Sequence, residues 1–142
     1  MLFRSADLEA ARYLHALVRD VVGDRLVASV HDASDGGLAV TVVEMAIAGS
    51  CGFAVAPEPG IPVAAWCFGE STSRVVVSVD SGRLDELLLR ARDAGVPARD
   101  CGMTGGSRVV IDGACDLALD AATAAWRDAI PSRVGADVPP SS

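Results

Sequence analysis

Apolar and polar positions follow a helical period near the start of the chain and change to short apolar runs further along. The first block predicts an amphipathic helix from Asp7 to about Val22. A short apolar run, Leu26–Val30, predicts a strand, and Leu38–Ala48, whose one charge is Glu44, predicts a buried helix. The apolar face of the first helix comprises Ala10, Leu14, Leu17, Val18 and Val21.

The remaining pattern alternates between strands and helices, with proline and glycine marking the loops. We expect Pro57–Pro62 to be a loop, Gly49 to end the buried helix, and Gly105–Gly106 to turn a hairpin between the last two strands. Trp66 and Trp126 are expected to be packing anchors. The predicted strands are Cys51–Ala56, Val75–Val79, Ala98–Met103 and Arg108–Asp112, and the predicted helices run through Leu84–Ala91 and from Asp116 to Ile130.

This order of elements predicts an α+β domain in which helices pack on a mixed sheet of about four to six strands. A chain of 142 residues can bury a sizeable core and fits one domain, which we expect to span residues 1–133. Residues 134–142 are rich in proline and serine and are expected to form a disordered tail.

Composition and charge exclude several classes of protein. Hydrophobic residues make up 51% of the chain, which is typical of a globular protein, and no apolar run reaches membrane-spanning length. A net charge of −7 argues against nucleic-acid binding and against docking on an anionic membrane. Met1–Ser5 leads straight into the first helix and is not a signal peptide, so we expect a cytoplasmic protein.

The cysteines show no metal-binding spacing. Cys51, Cys67, Cys101 and Cys115 include no Cys-x-x-Cys pair, and the two histidines add no ligand spacing. Each cysteine lies in or beside an apolar stretch. We therefore expect small core residues in a reducing compartment, with a catalytic thiol as the alternative.

The segment His31–Leu38 carries the richest chemistry, at a predicted strand-to-helix junction. It contains two carboxylates, a hydroxyl and the glycines Gly36–Gly37. Free backbone N–H groups and the helix dipole favour an anion at such a junction, and Asp32 is suited to hold a hard cation such as magnesium. Alternatively, Ser34 or Asp35 is a simple N-cap, and the glycines serve a tight turn.

Two linked motifs identify a family resemblance. The segment His31–Leu38, followed by Val43–Ala46, resembles the C-terminal domain of the phosphoribosylformylglycinamidine synthase family. The segment Phe68–Val77 is similar to a second motif of that family, at the expected distance downstream. The resemblance covers roughly Asp7 to Ile130. It implies the α/β sandwich that forms the second half of each unit in aminoimidazole ribonucleotide synthetase-like proteins.

The resemblance also implies roles for single residues. Asp32 would be a magnesium ligand, and Ser34 would contact a nucleotide phosphate of ATP or ADP. Asp35, Gly36 and Gly37 would complete this cofactor-binding turn, Asp35 as a cap or supporting residue and the glycines by allowing close approach. The resemblance implies no catalytic residue in this chain.

Three further residues keep open interpretations. His31 is expected to orient its neighbours rather than to act in catalysis. Glu70 and Arg74 are expected to form an internal ion pair, and the alternative places Glu70 at a substrate or interdomain surface.

For the whole enzyme, the resemblance implies that formylglycinamide ribonucleotide, ATP and glutamine-derived ammonia yield formylglycinamidine ribonucleotide, ADP and phosphate. ATP would phosphorylate the amide oxygen, and ammonia would then displace phosphate. The implied partners are the N-terminal synthetase domains, a glutaminase subunit and a small accessory subunit, and the isolated chain is expected to be inactive. The alternatives are a non-catalytic scaffold domain, or a domain of another superfamily member such as a small-molecule kinase or aminoimidazole ribonucleotide synthetase.

Overall fold

The computed structural model describes residues 8–33, 36–69 and 74–128. Within these ranges, helices and strands alternate along the first part of the chain, three strands follow one another before the last helix, and a short 3-10 turn lies at Ser81–Arg83. The helices are α1 (Leu8–Gly23), α2 (Gly37–Gly49), α3 (Val63–Phe68), α4 (Leu84–Asp93) and α5 (Leu119–Asp128). The strands are β1 (Val27–Asp32), β2 (Phe53–Val55), β3 (Val75–Val79), β4 (Gly102–Thr104), β5 (Arg108–Ile111) and β6 (Cys115–Ala118).

The described strands form two sheets. β1 and β3 form an antiparallel pair, in which His31 lies opposite Val76 and Asp32 opposite Val75. The second sheet has the order β4-β2-β5-β6, with β2 parallel to β5 and antiparallel to β4. The predicted α+β class with a mixed sheet is confirmed, although the described strands are divided between two sheets.

The helix α2 lies at the centre of the fold. It contacts β1 and β3 of one sheet, β5 of the other, and the helices α3 and α5. A helix surrounded in this way must be apolar on nearly every face, which is the pattern that its sequence shows. The larger core around it comprises Val42, Ala46, Phe53, Trp66, Cys67, Val109, Ile111, Leu119 and Ala122.

A smaller core joins α1 and α4 to the β1–β3 pair. Val21, Leu26 and Leu87 are buried in it, and Leu17, Val77 and Val79 pack against them. These residues come from the periodic apolar positions of the predicted helices and strand. The packing fixes α1 beside β1, the strand that leads to the candidate site.

Two short elements differ from the sequence prediction. The helix α3 occupies six residues just before the second motif, where no element was expected. β6 occupies the start of the predicted last helix, so α5 begins at Leu119 rather than at Asp116. Side chains in β6 alternate between half-buried and exposed, which is a strand period of two.

Three other predictions were wrong in detail. β4 and β5 form no hairpin, because β2 lies between them and pairs with both. The helix α2 ends at Gly49 as predicted, but the left-handed residue that follows its end is Ser50 (φ 49°) and not Gly49. Trp66 is buried as expected, but Trp126 is 52% exposed, because α5 buries Leu119 and Ala122 near its start.

The predicted domain end at residue 133 and the predicted tail, 134–142, lie beyond residue 128, the last residue that the structure describes. Both stay predictions.

Candidate functional site

The end of β1 brings the two sequence motifs together. Asp32 pairs with Val75 in the β1–β3 ladder, and the next N–H along the chain, that of Ala33, donates to the carbonyl oxygen of Arg74 at 2.9 Å. The chain then enters α2 at Gly37. Ala33, the first residue after β1, therefore lies beside Arg74, the residue that leads into β3.

Asp32 presents its carboxylate to solvent at this junction. Its side chain is 81% exposed, and Nδ1 of His31 lies 3.9 Å from its Oδ1. Among the described residues no group of three His, Cys, Asp or Glu side chains could hold a metal ion. A lone exposed carboxylate fits a magnesium ion that takes most of its ligands from phosphate oxygens and water, which is the usual form of such sites.

His31 connects the end of β1 to α2. Its Nδ1 lies 2.8 Å from the backbone oxygen of Asp32, and its Nε2 lies 3.3 Å from Oε2 of Glu44, in the second turn of α2. Both ring nitrogens therefore lie beside oxygen atoms. This geometry agrees with the orienting role expected for His31. The contact with Glu44 could not be read from the sequence, because it depends on how α2 packs against β1.

The start of α2 is shaped by close packing against α3. Gly36 caps the helix in a left-handed conformation (φ 89°) and offers no side-chain hydrogen bond. Gly37 also has a positive φ (71°), and a Cβ atom there would lie 2.5 Å from the carbonyl oxygen of Cys67 and 2.9 Å from Cα of Phe68. The space left by the missing side chain of Gly37 is thus filled by the α3 backbone. Phe68, beside the start of α2, is 64% exposed.

A groove of about 630 Å³ runs between α1 and the β1–β3 pair, next to the junction. His31 and Asp32 line it from β1, and His15 and Arg19 line it from α1. His15 is exposed on its helix. That α1 forms a wall beside Asp32 could not be predicted from the sequence, because it depends on the packing of Val21 in the smaller core.

A second cavity, of about 350 Å³, lies at the other end of α2 and is called here the polar cavity. It is lined by Ile47, Ser50, Gly106, Ser107, Leu119, Asp120, Thr123 and Arg127. It contains none of the residues of the two motifs.

Several predicted site residues lie outside the described residues. Ser34 and Asp35 fall in the gap between residues 33 and 36, and Glu70 falls in the gap between residues 69 and 74. Their predicted roles, and the Glu70–Arg74 ion pair, stay predictions. Asp32 ends β1, Gly36 caps α2 and Gly37 begins that helix. Their predicted role in binding a cofactor or metal stays a prediction.

Two of the four cysteines, Cys67 and Cys115, pack in the larger core. Cys67 is buried, and the other three are partly buried. Burial raises the pKa of the Cys67 thiol, and the nearby Cys115 raises it further. Burial also raises the pKa of Cys101. A raised pKa disfavours the thiolate, the nucleophilic form.

Together, a mixed sheet, a separate antiparallel strand pair and a central apolar helix define an α+β domain. The family model described as "AIR synthase related protein, C-terminal domain" matches residues 4–112. The chain belongs to this family, which confirms the predicted resemblance at the level of the domain.

Curated relatives are all longer than this chain. The phosphoribosylformylglycinamidine synthase subunit PurL of Nocardioides sp. is 40% identical over 129 residues, 91% of this chain and 17% of that protein. The same subunit of Parvibaculum lavamentivorans is 35% identical over 130 residues, 92% of this chain and 18% of that protein. The chain thus spans less than a fifth of the length of these relatives.

Solved structures share the fold. Phosphoribosylformylglycinamidine synthase II from Thermotoga maritima aligns with a TM-score of 0.73 and 19% identity, over 83% of this chain and 22% of that protein. Similar folds occur in T. maritima PurL complexed with FGAR, in the same protein complexed with ATP, and in its PurLQS assembly. Within the described ranges, no helix of this chain is both long enough and apolar enough to cross a membrane.

Proposed function

We propose that this chain is the C-terminal-type domain of a phosphoribosylformylglycinamidine synthase. The whole enzyme would convert formylglycinamide ribonucleotide, ATP and ammonia into formylglycinamidine ribonucleotide, ADP and phosphate. The observation that carries the proposal is the 35–40% identity to PurL subunits over more than nine tenths of this chain. The complexes of T. maritima PurL with FGAR and ATP support the same ligands here.

Within that enzyme, the β1–α2 junction would hold the phosphate groups of a nucleotide. Asp32 is exposed at the end of β1, and α2 begins at Gly37 without an acidic residue in its first turn. Backbone N–H groups at such a helix start attract an anion. Magnesium, when bound, would reduce the negative charge of the phosphates, and Asp32 would hold it together with phosphate oxygens.

The remaining parts of the proposal concern partners and compartment. The N-terminal synthetase domains, a glutaminase subunit and a small accessory subunit would complete the enzyme, as the PurLQS assembly of T. maritima suggests. The enzyme would act in the cytoplasm. Because the chain spans less than a fifth of its curated relatives, we expect the chain alone to have no synthetase activity. Product formed by the purified chain from substrate, ATP and ammonia would refute that expectation.

The nucleotide site is tested by calorimetric titration of the 142-residue chain with magnesium-ADP. We expect saturable binding that Asp32→Asn weakens by about tenfold or more, since hydrogen bonds and contacts to charged groups contribute about 1.5–3 kcal/mol. Asp112→Asn is the matched control, because Asp112 is also exposed but follows β5 in the other sheet.

Two results would contradict the nucleotide site. Equal losses in Asp32→Asn and Asp112→Asn would show that only general charge matters. Absence of binding to a folded chain would favour the alternative, a scaffold domain that needs its partner to form any site.

A further inference from the structure

Arg74 has an unusual environment at the site. Its Nη1 is buried, and it is the one buried side-chain nitrogen or oxygen in the described ranges without a hydrogen-bond partner. Two other described arginines, in contrast, have carboxylate partners: Arg90 donates to Asp24 and Glu86, and Arg108 donates to Asp116. A guanidinium stays charged at any physiological pH, so its unmet donor cannot be removed by deprotonation.

An unmet buried donor is costly, and native proteins contain few of them. Arg74 is also held firmly in place by its backbone, since its carbonyl oxygen accepts from the N–H of Ala33 and the next residue, Val75, pairs with Asp32. The residue therefore stands beside the β1–α2 junction, with a donor that the described part of the fold does not use.

We propose that Arg74 binds a phosphoryl oxygen of the ligand at this junction. Arginine is the side chain best suited to phosphate, because its planar group offers parallel donors to two oxygens. Arg74 as a whole is only partly buried, and the proposal requires its side chain to rotate so that Nη1 faces the ligand. The proposal takes its ligand class from the proposed function and adds a residue that this function did not assign.

The phosphoryl group can belong to the nucleotide or to the phosphorylated sugar of the substrate. The chain is titrated separately with inorganic phosphate, with ADP in the absence of magnesium, and with ribose 5-phosphate. The variant is Arg74→Met, which keeps the aliphatic stem and removes the guanidinium. Its control is Arg108→Met, because Arg108 is exposed and its partner, Asp116, lies in the neighbouring strand β6.

We expect Arg74→Met to weaken phosphate binding by about tenfold or more, while its melting temperature is not lower than that of wild type. If Arg74 had only a structural role, Arg74→Met would lower the melting temperature and leave the affinity for phosphate unchanged. The ligand that loses affinity, ADP or ribose 5-phosphate, identifies the source of the phosphoryl group. Unchanged affinity for every probe overturns the proposal, as does a failure of the wild-type chain to bind any of them.

If Arg74→Met does not fold, a second measurement on the wild-type chain tests the proposal. In the wild-type chain labelled with 15N, phosphate must shift the guanidinium resonances of Arg74, and unshifted resonances overturn the proposal. These tests are separable from the test of the proposed function. Binding of phosphate that depends on Arg74 supports this inference even if Asp32→Asn has no effect. Magnesium-ADP binding that depends on Asp32 but not on Arg74 overturns it and leaves the proposed function intact.

Discussion

Gly37→Ala tests whether the start of α2 is fixed by backbone packing against α3. The added Cβ atom would lie 2.5 Å from the carbonyl oxygen of Cys67 and 2.9 Å from Cα of Phe68. Both neighbours are backbone atoms, which cannot move aside by changing rotamer. The helices α2 and α3 must therefore separate at this point, or the helix start must unwind.

The expected magnitude combines two terms. A left-handed φ of 71° costs a residue with a Cβ atom about 1–2 kcal/mol. Inserting a methyl group into a packed contact typically costs about 1–3 kcal/mol. We therefore expect Gly37→Ala to lower the free energy of unfolding by about 2–5 kcal/mol.

Gly95→Ala is the matched control. Gly95 has nearly the same φ, 68°, but no atom lies within 4 Å of its added Cβ. Gly95→Ala should therefore lower the free energy of unfolding by the cost of the left-handed conformation alone, about 1–2 kcal/mol. The unfolded-state entropy change is the same for both substitutions and cancels in their difference.

The assay is urea unfolding followed by tryptophan fluorescence. Trp66 is 5% exposed in α3, directly before the residues that contact Gly37, so its emission reports on this helix. A loss for Gly37→Ala no larger than that for Gly95→Ala would refute the close-packing explanation. It would also favour the other interpretation, in which position 37 is a glycine so that a ligand can approach the backbone closely.

Two further predictions concern ion pairs. Hydrogen bonds from Arg83 and Arg90 lower the pKa of Glu86 below its ordinary value of 4.5. Glu86 therefore contributes its full stabilisation above pH 4.5. This stabilisation is lost as the pH falls through the lowered pKa. The difference in free energy of unfolding between wild type and Glu86→Gln, measured by urea unfolding, should decrease as the pH falls below about 4.5. A difference that increases at lower pH would contradict this. Glu44→Gln removes the carboxylate that lies 3.3 Å from His31. It should lower the free energy of unfolding by about 0.5–1 kcal/mol. Equal stability of the variant and wild type would show that the contact contributes nothing.

Long elements with a clear period were predictable from the sequence. The strand β3 and the centre of α2 occur where the pattern placed them, because their apolar runs are long enough to define a face or full burial. The helix α3 has six residues, all apolar, so no polar position marks its period. β6 was hidden because its four residues precede α5 directly, without a glycine or proline between them.

Long-range pairing was not predictable in the same way. Gly105–Gly106 is a local turn signal, and it correctly marks a turn after β4. The pairing of β2 between β4 and β5 is a property of the whole sheet, which no local signal encodes. At the candidate site, the motif residues were visible in the sequence. The contacts of His31 with Glu44 and of Ala33 with Arg74 depend on the packing of α2 and β3.

The central claim is that the β1–α2 junction binds a nucleotide. The most direct measurement is an amide 15N–1H spectrum of the labelled chain during titration with magnesium-ADP. The account predicts the largest shifts at Asp32, Ala33 and the first turn of α2, Gly36–Ala39. Shifts centred instead on Ser107 and Thr123 in the polar cavity, or no shifts at all, would contradict it.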